Sequence, residues 1–161
     1  MKIETLNQKI SYSAVFIALG VVLGTMSFPV GPTKVAPFQH FINVLTGILL
    51  GPWWASFVAF AVGLLRMSLG VGTIFSLPGG IPGAFVVGLA YMALKKDVAA
   101  FTEPLGTVFI GGTLSALLVA PAIGVEKPAV WFWVAFAPST LVGTSLGFIV
   151  LKALRRMEVV K

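Results

Sequence analysis

At 161 residues, 58% hydrophobic and only 10% charged, with a mean hydropathy of +1.02, the chain has too little polar surface to cover a soluble globule and reads as an integral membrane protein. The absence of cysteine excludes disulfides and thiolate metal sites. The net charge of +6 lies in the gaps between apolar runs, where it sets topology; a nucleic-acid binder would need a basic face with exposed aromatics.

Lys2 and Lys9 precede the first apolar segment, about Ile10 to Phe28. No small-x-small cleavage site follows, so a retained helix is expected rather than a signal peptide. Pro29, Pro32 and Pro37 forbid a continuing helix and make Phe28 to Pro37 a stiff loop. The second segment, about Phe38 to Leu50, is only about 20 Å of helix at 1.5 Å per residue. It is expected to tilt little, to begin below the membrane surface, or to share its span with the loop.

Gly51 and Pro52 make a tight turn. Trp53 and Trp54, suited to the headgroup level, restart a third helix that continues to about Leu69. Leu69 to Gly83, LGVGTIFSLPGGIPG, holds five glycines and two prolines and is expected to be an irregular re-entrant or lid loop lining a cavity. A fourth segment, about Ile81 to Leu94, stops at Lys95, Lys96 and Asp97. Thr102, Glu103 and Pro104 resemble a helix start. The fifth segment then runs from about Leu105 to Ala122, and the sixth from about Ala129 to Leu154, with Pro138 expected to kink it.

The expected architecture is an all-α membrane protein, one domain over residues 1–161, with six transmembrane helices near 10–28, 38–50, 53–69, 81–94, 105–122 and 129–154. An even number of spans puts both termini on one side. Assigning that side to the cytoplasm leaves eight basic residues inside (Lys2, Lys9, Lys95, Lys96, Lys152, Arg155, Arg156 and Lys161) and three outside (Lys34, Arg66 and Lys127), a positive-inside bias. The Pro-rich loop, the Gly-rich loop and the Glu126-Lys127 connection then share the outer face.

Polar groups are costly in hydrocarbon, so the few near the apolar segments are the candidates for chemistry. Gln39, His40 and Asn43 open the second segment at spacings that gather them on one side of a helix. An amide and an imidazole offer donors and acceptors, suiting a small polar heterocycle better than a bare ion. The competing reading is interhelical hydrogen bonding that holds the bundle together. Arg66 is the only basic residue inside an apolar run; it either donates to a ligand and to glycine-loop carbonyls or snorkels to the interface. In the glycine loop, Thr73 and Ser76 offer hydroxyls, and no phosphate-binding G-x-x-x-x-G-K-[ST] pattern occurs in the chain.

Catalysis is disfavoured. The five acids, Glu4, Asp97, Glu103, Glu126 and Glu158, all fall in expected tails or connections, and one His with no Cys builds neither a Ser-His-acid set nor a metal cluster. The same distribution argues against a proton- or sodium-coupled carrier built on carboxylates. Ser11, Ala14 and Ala18, with Gly20 and Gly24 above them, form a narrow strip of small residues in the first segment, suited to close helix approach.

Short helices, the Ala14-x-x-x-Ala18 strip, an outer-loop pocket and the lack of a nucleotide motif resemble a substrate-binding S component of an energy-coupling factor (ECF) vitamin transporter. PVGPTKVAPFQHFINVLTGILLGPWWA from Pro29 to Ala55 and LLRMSLGVGTIFSLPGGIPGA from Leu64 to Ala84 resemble the ThiW family. The resemblance implies uptake of the thiazole precursor of thiamine, hydroxyethylthiazole, in the cell membrane of a bacterium or archaeon. It implies a shared transmembrane coupling subunit and two ATPase subunits that use the ATP, with no cofactor on this chain. It makes Ala14 and Ala18 the docking strip for the coupling subunit, and it places Gln39, His40, Asn43, Arg66, Gly72, Thr73, Pro78 and Gly79 in the stretches that characterise the family. Thiamine-binding relatives resemble an acid-plus-aromatic cage; with no acid expected in a span, a neutral thiazole fits better than thiamine. Ring stacking is assigned to Trp133, Trp131 or Phe38, whose alternative use is interface anchoring. The rival readings are an S component for thiamine or another vitamin, a stand-alone small-solute facilitator, and an assembly subunit with no ligand.

Overall fold

The structure, a computed structural model, describes residues 5–31 and 33–158; Lys2, Glu4, Pro32 and Lys161 lie outside the described residues. Helix α1 spans Leu6–Leu23. Thr5 caps it, accepting from the Gln8 backbone N–H while the Gln8 side chain accepts from the Thr5 N–H, so the helix begins earlier than the apolar run alone indicates. It also ends earlier, at Gly24. The next residues turn into a short antiparallel hairpin, β1 Phe28–Val30 and β2 Thr33–Val35, with Phe28 opposite Val35 and Pro29 opposite Lys34. The expectation of a stiff loop over Phe28 to Pro37 is corrected here: the prolines do stop the helix, but the extended backbone pairs with itself in a two-stranded hairpin.

Helix α2, Pro37–Leu50, is 14 residues long and buries most of its side chains, including Gln39, His40 and Asn43. Its start is tied to the last long helix, where the Ala36 N–H donates to Ser139 Oγ at 3.0 Å. A Cβ at Gly143 would overlap the Pro37 carbonyl oxygen, so these backbones touch. Ser139 lies about 15 Å from the Ala129 end of that helix at 1.5 Å per residue. The short helix therefore begins about a third of the way along that helix, directly after the hairpin. After Gly51, whose φ of +86° suits a residue without Cβ, α3 runs over Pro52–Ser68.

Helix α4, Ser76–Leu94, begins five residues ahead of the expected Ile81 and absorbs Pro78, Gly79, Gly80, Pro82 and Gly83. The expectation of an irregular loop there is corrected to a helix with a short connection before it. Pro78 falls in the first turn, where a missing N–H costs little. The glycines face neighbours: a Cβ at Gly80 would overlap Gln39 Nε2, and one at Gly88 would overlap the Pro52 backbone. Packing thus overrides the low helix propensity of this stretch.

Helix α5 covers Asp97–Ala122, opening with a 3₁₀ turn over Asp97–Thr102 and containing wide π-helical turns at Leu105–Gly111 and Ser115–Val119. Gly106 and Gly111 press against the Pro82 and Pro78 carbonyls of α4, which sets how closely the two helices approach. At the Asp97 end, Arg155 Nε donates to both carboxylate oxygens of Asp97 at 2.9 and 2.7 Å, and its Nη2 donates to Tyr91 Oη at 2.9 Å. Helix α6, Ala129–Arg156, is continuous through Pro138.

One apolar cluster surrounds α2, with Phe16, Ile42, Leu45, Ile48, Val62, Val87 and Leu151; a second joins Phe75, Val108, Phe132 and Phe136. The outer surface remains apolar: Val15, Phe57, Phe109, Leu117, Val134 and Ile149 are each more than half exposed. Contiguous apolar exposure of this kind is unfavourable in water and is covered by lipid tails. The helices α1, α4, α5 and α6 are long and apolar enough to cross a membrane.

Candidate substrate-binding cavity

A cavity lies at the level where α2 begins, lined by Gln39, His40, Arg66, Ser76, Thr107 and Ser139, with Lys34 and Gly79 beside them and Phe75 and Phe136 as the apolar wall. Only about 20 Å³ within it admits the centre of a water molecule. That is room for about one water in the form described.

Gln39 is fixed at both ends of its amide. Its Oε1 accepts from Arg66 Nη1, and its Nε2 donates to the Ser76 carbonyl at 3.0 Å. Arg66 does not snorkel; it is 1% exposed, and its Nη2 donates to the Gly24 carbonyl at 3.0 Å. A Cβ at Gly24 would overlap Arg66 Nε, so the glycine that ends α1 makes way for the guanidinium. Nε itself is buried without a partner among the described residues. An unpaired buried donor calls for a reason, and Arg66 is at the same time one of the residues that line the cavity.

Below the cavity sits Glu103, fully buried in α5. Its Oε1 accepts from Asn43 Nδ2 at 3.0 Å and from Thr107 Oγ1 at 2.6 Å, and lies in hydrogen-bond contact with His40 Nδ1 at 2.8 Å. Asn43 Nδ2 also donates to the Gly80 carbonyl at 3.0 Å. Gly83 is the space-maker here, since a Cβ on it would overlap both Thr107 Oγ1 and Glu103 Oε1. The expectation that every acid lies in a tail or connection, with none in a span, is therefore corrected. The span opens eight residues ahead of the expected Leu105, because Ala99 and Ala100 are small enough to bury in the first turn and Arg155 anchors Asp97. Pro104 then continues the helix instead of starting it.

The ten side chains or glycines expected at the site separate into three groups. Gln39, His40, Arg66, Ser76 and Gly79 line the cavity. Asn43 stands one layer behind, engaged with Glu103 and Gly80. Gly72, Thr73, Pro78 and Trp133 do not line it: the Gly72 N–H donates to the Arg66 carbonyl at 2.8 Å, and Trp133 Nε1 donates to Thr113 Oγ1 at 3.2 Å while its ring meets Phe109 edge-on. Lys34, Thr107, Ser139 and the supporting Glu103 were not singled out from sequence. The legible signal was the spacing Glu103-x-x-x-Thr107 at the head of an apolar run, which puts an acid and a hydroxyl on one helix face. Ala14 and Ala18 are exposed, on the side of α1 opposite buried Ser13, Phe16 and Gly20.

A bundle of apolar helices with a polar cavity where α2 begins is the class this geometry defines, and its fold is similar to a known one. The crystal structure of the S-component for biotin from an ECF-type ABC transporter matches with a TM-score of 0.64, at 22% identity, covering 95% of each chain. The chain belongs to the ThiW family, whose model, described as thiamine-precursor transporter protein, matches residues 10–157. It is accordingly a multi-pass membrane protein of a transporter family and not an enzyme. No curated protein matches it.

Proposed function

We propose that the chain is the substrate-capture subunit of an ECF-type transporter, spanning the cell membrane of a bacterium or archaeon six times with both termini in the cytoplasm, and that it takes hydroxyethylthiazole into the cavity beneath the hairpin. The observation that carries this reading is the placement of Gln39, His40, Arg66 and Thr107 around one cavity at the start of α2. Buried polar side chains in hydrocarbon are expensive unless they serve a ligand or one another, and Arg66 Nε is left over by the protein's own bonds. Among the described residues the Lys and Arg side chains lining the cavity are Lys34 and Arg66, and no Asp or Glu lines it, while Glu103 is turned to His40, Asn43 and Thr107. A thiazolium cation such as thiamine would meet two positive groups there, so a neutral ring is favoured even though an acid lies in the span.

No nucleotide-binding pattern occurs on this chain, so the energy for reorientation would come from ATPase partners acting through a transmembrane coupling subunit. The exposed Ala14 and Ala18 strip supports α1 as the contact for that subunit, because small residues let a partner helix approach its backbone. The test is binding by the purified protein, followed by thermal unfolding and calorimetry. Failure of hydroxyethylthiazole and related vitamins to stabilise it would refute capture. Liposomes holding this chain alone distinguish a facilitator, which would pass solute without partners. Ala14→Leu with Ala18→Leu is expected to abolish uptake by the assembled transporter while ligand binding stays within about twofold; retained uptake would remove α1 from the interface.

A further inference from the structure

Glu103 carries a question that capture does not answer: why a carboxylate that touches no open space is held in the middle of an apolar bundle. It is 0% exposed, it does not line the cavity, and its Oε2 has no partner among the described residues. Among the described residues its hydrogen bonding is concentrated on Oε1, and two of the three groups bonded there, His40 and Thr107, also line the cavity. Each of them carries a proton that can point one of two ways. An acceptor-only oxygen at 2.8 Å from His40 Nδ1 places the imidazole proton on Nδ1, leaving the Nε2 lone pair free. The same oxygen at 2.6 Å takes the Thr107 hydroxyl proton, leaving the Oγ1 lone pairs free.

We propose that Glu103 is a positioning residue that turns His40 Nε2 and Thr107 Oγ1 into hydrogen-bond acceptors toward the cavity, so that the site selects a ligand bearing a hydroxyl donor. The wall that rests on Glu103 then accepts, and the wall formed by Arg66 donates. A hydroxyalkyl group on an aromatic ring whose nitrogen accepts is complementary to that polarity from end to end. Asn43, with one amide hydrogen on Glu103 Oε1 and one on the Gly80 carbonyl, holds the carboxylate in register without facing the cavity. The hydroxyl preference rests on the capture reading given above; the proton placement does not.

The chain has one histidine, so every imidazole signal in a ¹⁵N-histidine-labelled sample belongs to His40. In the ligand-free wild type, Nδ1 is expected to show the protonated, pyrrole-type shift and Nε2 the unprotonated, pyridine-type shift. Glu103→Gln keeps an acceptor at Oε1 and should retain that pattern, whereas Glu103→Leu should move the proton to Nε2. A wild type protonated on Nε2 alone, or on both nitrogens, overturns the proposal without any variant having to fold. In the second arm, wild type and Glu103→Gln are expected to bind hydroxyethylthiazole about five- to tenfold more tightly than the same thiazole with ethyl in place of hydroxyethyl. Glu103→Leu should lose that preference while still binding the ethyl compound. Equal affinities in the wild type overturn the selectivity. If neither thiazole binds but the Nδ1–H pattern is present, the capture reading fails and the positioning role stands.

Discussion

The most exacting test of how this site is built is Gly83→Ala. On an ordinary helix the change stabilises, because glycine is about 1 kcal/mol less favourable than alanine in a helix interior. Gly83 lies inside α4 with no unusual backbone angle, so propensity alone predicts a gain. The structure predicts the opposite sign. The new methyl would overlap Thr107 Oγ1 and Glu103 Oε1, neither of which can withdraw without breaking the 2.6 Å bond between them or the 2.8 Å bond to His40. Overpacking costs about 1–3 kcal/mol, and leaving one buried polar group unpaired costs about 1–3 kcal/mol more. Set against the propensity gain, the net loss is centred near 3 kcal/mol. At roughly 2–4 °C per kcal/mol for a chain of this size, the melting temperature should fall by about 6–12 °C in thermal unfolding of the purified protein. Gly79→Ala is the matched control: its Cβ would sit 3.4 Å from the Phe136 ring, an ordinary contact, so stability should hold or rise slightly while the narrowed cavity weakens ligand binding. A Gly83→Ala protein that melts at or above the wild-type temperature would refute the close-packed account of the polar cluster.

Arg66→Lys retains the charge but not the fork that reaches Gln39 Oε1 and the Gly24 carbonyl together, so ligand affinity should drop about tenfold in calorimetry; unchanged affinity would remove Arg66 from the binding wall. Trp133→Phe removes the hydrogen bond to Thr113, and neither residue lines the cavity. It should cost at most about 1 kcal/mol of stability and leave affinity intact, whereas lost binding would restore Trp133 as a stacking partner.

What could be read from the sequence was whatever a single segment encodes. Apolar runs separated by proline and glycine marked the helices, and the shortness of Phe38 to Leu50 called for little tilt, a start below the surface or a span shared with the loop; the Ala36 to Ser139 bond ties its start to α6 about 15 Å from the Ala129 end at 1.5 Å per residue. His40 and Gln39 were recognisable because polar side chains beside a loop in an apolar chain stand out. Glu103 was not recognisable in the same way. As a lone acid beside Thr102 and Pro104 it has the local signature of a helix start, and only the tertiary meeting of α2 with α5 converts it into the acceptor for His40 and Asn43. Pro78 to Gly83 misled for the converse reason. Their helix propensity is poor, but α2 and α5 press so closely on α4 that residues without Cβ are the ones that fit, and contact energy of that kind leaves no mark on local pattern.

With room for about one water, the cavity must open before a ring can enter, and the hydrogen bonds identify where it parts. Lys34 Nζ, in β2 of the hairpin, donates to the Val71 carbonyl in the α3–α4 connection at 2.9 Å, tying together the two segments that cover the site. The bond is only partly buried, so its net worth is about 1 kcal/mol, and a contact that must break on the way in and on the way out contributes that amount to both barriers. Lys34→Met retains the aliphatic stem and deletes the donor. Association and dissociation rates measured by stopped flow should each rise about fivefold, with the equilibrium constant changed less than either rate. A dissociation rate equal to that of the wild type would mean that ligand leaves by a path that does not part the hairpin from Val71.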